Sequence, residues 1–355
     1  MKTILSTHFL AFQALVKLCG GGSICSHMIY KDIISTKSLL NAWNEFIRGK
    51  KNKKDVSVFS LNLLDNIFEL QKDLVSKKYK HSDYEYFKIS DPKPRDIHKA
   101  SVRDRLLHHA ICSELSPSFD KKFVYDCYSS RNFKGTHRAM NRFRYFAGKV
   151  SKNHTKTCWV LKCDVRKFFA TIDHEILLNI FYRHVKDKEI NWLIKEIILS
   201  FSTEKGKGLP LGNLTSQLLV NVYMNEFDQF VKHELKVKYY VRYADDFVIL
   251  SDDKRYLEEL LFKIEFFLKS KLKLSLHPKK VSIETYSSGV DFLGWVHFSG
   301  HRVLRTSTKN RALKGSKECD IGANNVQSYL GLLKHGNGKK IARKIEETTG
   351  PKTSY

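Results

Sequence analysis

Apolar residues recur at helical spacing from about residue 30 to residue 80. In DVSVFSLNLLDNIFELQKDLVSKKY, Leu61, Leu64, Ile67 and Phe68 predict the buried face of a helix. YEYFKISDPKPRDIHKASVRDRLLHHAICSEL then reads as strand, basic turn and helix, with Pro92 and Pro94 marking the turn. The period changes in TCWVLKCDVRKFFATIDHEILLNIFYRHV. The apolar run from Cys158 to Val165 predicts a buried strand, and a helix follows Asp173. DKEINWLIKEIILSF predicts another helix, which leads into the Gly-rich KGKGLPLGNLTSQ and the helical LLVNVYMNEFDQFVKHEL. KYYVRY and FVIL, rich in β-branched and aromatic residues, predict the two arms of a hairpin. DKRYLEELLFKIEFFLKSKL places Leu257, Leu260, Leu261, Ile264 and Leu268 on one helical face. Short strands are expected around KKVSIETYS and VDFLGWVHF, and one helical piece near VQSYLGLLK in a basic, Gly/Ser-rich end. The pattern predicts an α+β architecture, a small sheet packed by several helices, with a basic C-terminal appendage and no internal repeat.

Composition adds a partner to this outline. The 355 residues suffice for a sizeable core, and 42% hydrophobic content with 23 phenylalanines argues against disorder. Lys and Arg number 62 against 37 Asp and Glu, a net charge of +25. Such a charge points to a polyanion, nucleic acid first and an acidic membrane surface second. RNFKGTHRAMNRFRYFAGKV interleaves cations and rings, which suits phosphate contact with base or sugar packing. A solvated amphipathic helix explains that stretch equally well. The seven cysteines (Cys19, Cys25, Cys112, Cys127, Cys158, Cys163, Cys319) contain no C-x-x-C, so a zinc ribbon is not expected. Their scatter fits a reducing, cytoplasmic setting. The first 27 residues have a lysine, an apolar stretch and small residues, superficially like a signal peptide, but His8, Gln13 and Lys17 interrupt them. They are expected to be an extension without a role in the fold, with Met28 opening the patterned chain. No other apolar run is long enough to span a bilayer, and no membrane partner is expected.

The candidate chemistry lies in three acids. Asp164 ends the apolar strand, and Asp245 and Asp246 stand side by side between the two hairpin arms. An isolated Asp-Asp reads as a solvated turn. If both strands are central to one sheet, however, the three carboxylates converge. Carboxylates crowded in a half-buried cleft repel or protonate unless cations hold them. Magnesium, which takes hard oxygen ligands, resolves that conflict. Two such ions can clamp the attacking and leaving oxygens of a phosphoryl transfer.

YADDFVIL resembles the Y-x-D-D box of reverse transcriptases. KPRDIHKASVRDR, LKCDVRKFFATIDH, GLPLGNLTSQLLVNVYMNEFDQF, YVRYADDFVIL, LSLHPKKV and VDFLGWV resemble that family's blocks in order, over roughly residues 60 to 300. The resemblance implies a right-hand polymerase with a palm sheet, fingers and a short basic helical thumb. It divides the chain into a helical segment at 28–60, a reverse transcriptase domain at 61–300 and a reduced thumb at 301–355. It implies an RNA template, a DNA or RNA primer, dNTPs and two Mg²⁺ ions. Asp164, Asp245 and Asp246 would be catalytic and metal-binding, with the Val165 carbonyl a further ligand. Phe169 would select against a ribose 2′-OH, with Phe168 beside it a core ring. Arg95, in the basic turn, would clamp the triphosphate, with Lys93 as helper. Lys280 would reach the γ-phosphate, with Lys279 its rival. Tyr243 would lie against the primer end, and Leu293, Gly294 and Trp295 would form part of a primer grip. Sheet packing also explains Tyr243 and Trp295.

LGNLTSQ departs from the commoner form, with Leu211 before Gly212 and Gln217 after Ser216. It resembles reverse transcriptases of diversity-generating retroelements, where a nucleotide pocket of this type accompanies error-prone copying at template adenines. A small basic accessory protein is a further implied partner. Group II intron enzymes resemble the chain less in the segment after FLGWVHF, and the retron signatures N-A-x-x-H and V-T-G do not occur. A defence-associated or intron-like enzyme remains a second reading. A non-catalytic RNA-binding protein on the same fold is a third.

Overall fold

A computed structural model describes residues 30–90, 94–317 and 323–349. The expectations for residues 1–27, Lys93 and Cys319 lie outside the described residues. The chain opens with α1 (Tyr30–Ile34), α2 (Thr36–Phe46), α3 (Lys54–Leu61) and α4 (Leu63–Val75). The hairpin β1 (Glu85–Ile89) and β2 (Arg95–Lys99) follows, then α5 (Val102–Asp120) and α6 (Thr136–Val150). Next come β3 (Trp159–Asp164), the short α7 (Phe168–Thr171), α8 (His174–His184), α9 (Lys188–Leu199) and α10 (Leu214–Gln229). The hairpin arms are β4 (Tyr240–Tyr243) and β5 (Asp246–Ser251), followed by α11 (Lys254–Leu272) and β6 (Ser282–Thr285). Then come β7 (Val290–Phe292), β8 (Trp295–His297), β9 (Arg302–Leu304), α12 (Thr306–Lys317), α13 (Ala323–Leu333) and α14 (Lys339–Thr349).

A four-stranded antiparallel sheet, ordered β4-β5-β3-β6, holds the middle of the chain. Successive residues of each strand enter opposite cores. Leu161, Cys163, Phe247 and Ile249 join the large cluster with α10 and α11, while Val160, Val241, Val248 and Leu250 join a second cluster with Phe143, Phe146 and Ala147 of α6. Burial on both faces explains why these strands read as continuous apolar runs rather than alternating ones. It also decides between the two explanations of α6's inner face, which is core. Arg138, Arg144, Tyr145 and Lys149 remain on the outside.

Three sequence expectations are revised. First, Leu61, Leu64 and Phe68 are exposed at 82%, 54% and 52%, and the buried stripe is Ile67, Leu70 and Leu74. Asn62, at φ −119 and ψ 41, breaks the helix and resets the face of α4. Second, the basic segment before α5 is a hairpin, so Arg95 opens a strand rather than sitting in the turn. Third, the described residues of the C-terminal region form three helices, where a helical piece was expected near VQSYLGLLK. Its apolar positions Ala312, Leu333 and Ile345 close over Trp295, Leu304 and Met140 in a third cluster. Among the described residues no helix is long and apolar enough to cross a membrane.

Candidate active site

β3 and β5 run antiparallel in a register that sets Asp164 opposite Asp246. Tyr243 pairs with Asp246 across the β4–β5 hairpin, which leaves Ala244 and Asp245 as a two-residue turn. Such turns need a positive φ, and Ala244 supplies it at 56°. The Val165 N–H donates to the Asp245 carbonyl at 3.2 Å, so the turn is tied to the end of β3. The His277 N–H donates to the Asp164 carbonyl at 2.7 Å and the Arg166 N–H to Ser275 at 2.9 Å, which bring the 275–280 segment alongside. Lys280 Nζ then stands 2.7 Å from Asp164 Oδ1. Lys279, its rival by sequence, donates its backbone N–H to His277 Nδ1 at 3.2 Å.

The acids perturb one another. Burial, followed by Asp245 and Asp164, pushes the Asp246 carboxyl up to about 7. Burial and Asp164 also raise Asp245, against the pull of Lys280 and Arg95. Carboxyls crowded in this way hold protons or cations. Among the described residues no group of three or more Asp, Glu, His or Cys side chains is placed to hold a metal ion. Magnesium does not need one, since it keeps few protein ligands and fills its shell with water and phosphate oxygens. The facing Asp164 and Asp246 carboxylates, with Asp245 in the adjoining turn, present hard oxygens of the type a divalent cation takes.

Of the nucleotide-side candidates, Arg95 acts on Asp245 through its charge. The His98 N–H donates to the Leu211 carbonyl at 3.2 Å, and Asn213 Nδ2 donates to the His98 carbonyl at 2.9 Å. These bonds tie β2, and with it Arg95, to the Leu211–Gly212 loop. Gly212 sits at φ +111, a conformation that favours glycine, and a Cβ there would meet Ile97 Cγ2 at 3.2 Å, so any side chain would also need Ile97 to give by a few tenths of an ångström. Gln217 is exposed and accepts from Ser130 Oγ at 3.2 Å. The carbonyl of half-buried Phe169 accepts from the Leu209 N–H at 2.8 Å, while Phe168 is buried beside it.

The primer-side candidates separate. Tyr243 and Leu293 both lean on the second core cluster. Leu293 and Gly294 form the β7–β8 turn at φ 53 and 85. Trp295 is 1% exposed inside the third cluster. A Cβ on Gly336 would lie 2.1 Å from that ring, so α13 ends flush against it. Packing accounts for the Trp295 side chain, whereas Tyr243, Leu293 and Gly294 are each partly exposed.

Sequence reasoning passed over a buried polar group beneath the turn. Arg242 and Asp228 are both 0% exposed. Arg242 Nε and Nη2 donate to the two Asp228 oxygens at 2.7 and 2.6 Å, and Tyr240 OH donates to Oδ1 at 2.6 Å. The signal was present: one charge interrupts the apolar YVRY strand and another sits on the core face of NEFDQF.

The family model described as reverse transcriptase (RNA-dependent DNA polymerase) matches residues 87–297. The chain belongs to that family, and its fold is the right-hand polymerase type, with β4-β5-β3-β6 as the palm sheet. It is 25% identical over 263 residues to Protein YkfC of Escherichia coli K12, covering 63% of this chain and 67% of that one. It is 24% identical over 306 residues to the group II intron-encoded protein LtrA of Lactococcus lactis, covering 65% of this chain and 49% of that one. The chain thus spans about half the length of the Lactococcus protein.

Proposed function

We propose that the chain is an RNA-directed DNA polymerase that extends a DNA or RNA primer on an RNA template with dNTPs. The observation that carries this is the convergence of Asp164 with Asp245 and Asp246 across β3 and β5, with Lys280 on Asp164 at 2.7 Å. Bound divalent cations, two in this reading, would neutralise the reacting phosphates and favour ionisation of the primer 3′-OH. The protein's own contribution is positioning and charge, as is usual in phosphoryl transfer. Asp164 and Asp245 would hold the cations, and Asp246 would support them from the first position of β5. Lys280 and Arg95 bring positive charge to the triphosphate from two sides. Phe169 limits room at the sugar, and Tyr243 with the Leu293–Gly294 turn receives the primer end. The helices after residue 301 would serve as the thumb.

Primer extension on RNA with Mg²⁺ tests the reading. The parent chain should extend and Asp245→Asn should not, and extension surviving Asp245→Asn would remove the metal assignment. If no extension occurs, even with a small basic accessory protein supplied, an RNA-binding role replaces the catalytic one. The retroelement role rests on Leu211 and Gln217 in LGNLTSQ. An aliphatic wall makes less directional contact with a nascent base pair, which supports weaker discrimination between bases. Deep sequencing of the product checks this, and uniform fidelity at template adenines would reject it. The likeness to an intron-encoded protein favours the second reading, an intron-related enzyme.

A further inference from the structure

We propose that Arg242 is a positioning residue for Asp245: it fixes the peptide between Ala244 and Asp245, and so sets how tightly the acidic cluster takes a divalent cation. The inference rests on the polymerase reading above. It starts from the division of labour within one guanidinium. Nε and Nη2 are occupied by Asp228, and Nη2 also reaches Cys127 Sγ at 3.1 Å. Nη1 is left for the turn, and it donates to the Ala244 carbonyl at 3.0 Å and to Asn221 Oδ1 at 3.3 Å.

A peptide unit is planar, so fixing the Ala244 carbonyl fixes the Asp245 N–H on the same plane. The next peptide is held from the other side, where the Asp245 carbonyl accepts from Val165. Asp245 is therefore gripped at both flanking peptides, by the end of β3 and by Arg242. The grip opposes a real tendency to relax, because Ala244 has φ 56, a region unfavourable for a residue with a Cβ. Arg242 cannot drift, since its N–H donates to the Asp126 carbonyl at 3.0 Å and its carbonyl accepts from Tyr128 at 2.9 Å. Groups that orient metal ligands in this way govern metal affinity without touching the metal.

A purely structural ion pair behaves differently. Replacing both buried charges with apolar residues of similar volume often leaves stability unchanged or improved. The discriminating variant is the triple replacement Arg242→Met, Asp228→Leu and Tyr240→Phe, which removes the pair and the hydroxyl that bonds it but also withdraws the donor from Ala244. Mn²⁺ binding to the full chain is followed by electron paramagnetic resonance of the free ion, beside thermal melting and beside Asp245→Asn as the site control. The expected result is a melting temperature near the parent's with Mn²⁺ affinity at the acidic cluster weakened about ten-fold or more. Arg242→Lys, whose compact ammonium lacks the planar fork that spans both Asp228 oxygens and the Ala244 carbonyl, should weaken Mn²⁺ similarly and is the variant to read if the triple does not fold. If the parent binds Mn²⁺ through Asp245 and these variants bind it equally well, the positioning role is overturned and the polymerase reading stands. If the parent binds no more Mn²⁺ than Asp245→Asn does, both are overturned.

Discussion

Gly212→Ala separates two costs that one glycine hides. The residue sits at φ +111, outside the regions an alanine adopts without strain, and a Cβ would meet Ile97 Cγ2 at 3.2 Å. Backbone strain of this kind costs about 1–3 kcal/mol. Forcing a tight side-chain contact to give adds about 1 kcal/mol. The sum, roughly 2–4 kcal/mol, falls on the joint between β2 and the Leu211–Asn213 loop. The His98–Leu211 and Asn213–His98 bonds hold that joint. Scanning calorimetry should show a lower melting temperature, and steady-state extension should show a raised dNTP KM because Arg95 moves with β2. The steric part can be isolated with Ile97→Ala, which removes the offending methyl. In that background Gly212→Ala should cost about 1 kcal/mol less, leaving only the backbone term. A melting temperature unchanged by Gly212→Ala, or an equal cost in both backgrounds, would refute the reasoning.

Three further substitutions probe the acidic cluster and its walls. Asp246 has a folded-state pKa of about 7 against an ordinary 3.8. The folded chain therefore keeps a proton there that the unfolded chain releases, and stability falls as pH rises from 3.8 to about 7 and stays lower above it. Asp246→Asn should flatten that slope and melt higher than the parent at pH 8 in a chelator. A lower melting temperature there would count against mutual repulsion of the acids. Lys280→Ala removes the cation 2.7 Å from Asp164 and should lower kcat/KM for dNTP about a hundred-fold, read by single-nucleotide incorporation. An unchanged value would leave Lys280 a surface residue. Phe169→Ala should reduce the preference for dNTP over rNTP about ten-fold or more in paired incorporation assays, whereas an unchanged ratio would make the ring core alone.

Much of the fold was legible because the relevant forces are local. Leu257, Leu260, Ile264 and Leu268 are buried along α11 as the helical period predicts, with Leu261 half-buried beside them. The runs around Asp164 and Asp246 formed central strands because only strands covered on both faces are apolar at every position. The first helices were misread at Leu61, Leu64 and Phe68 because periodicity names an apolar face without saying what covers it. Arg95 was placed in a turn because prolines mark a bend but not the strand that leaves it.

What the sequence determined by itself was the inventory: the palm strands, the acids at their ends, a positive charge suited to nucleic acid, and the order of family blocks. Tertiary structure decided the pairings. Register, which a count along the chain does not contain, set Asp164 against Asp246 and left Asp245 in the turn. Packing chose Lys280 over Lys279 as the partner of Asp164, and enclosed Trp295 beneath the C-terminal helices. It also buried Arg242 with Asp228 under the turn, 14 residues apart in the chain. Such choices depend on which distant surfaces exclude water together, and that exists only once the chain has folded.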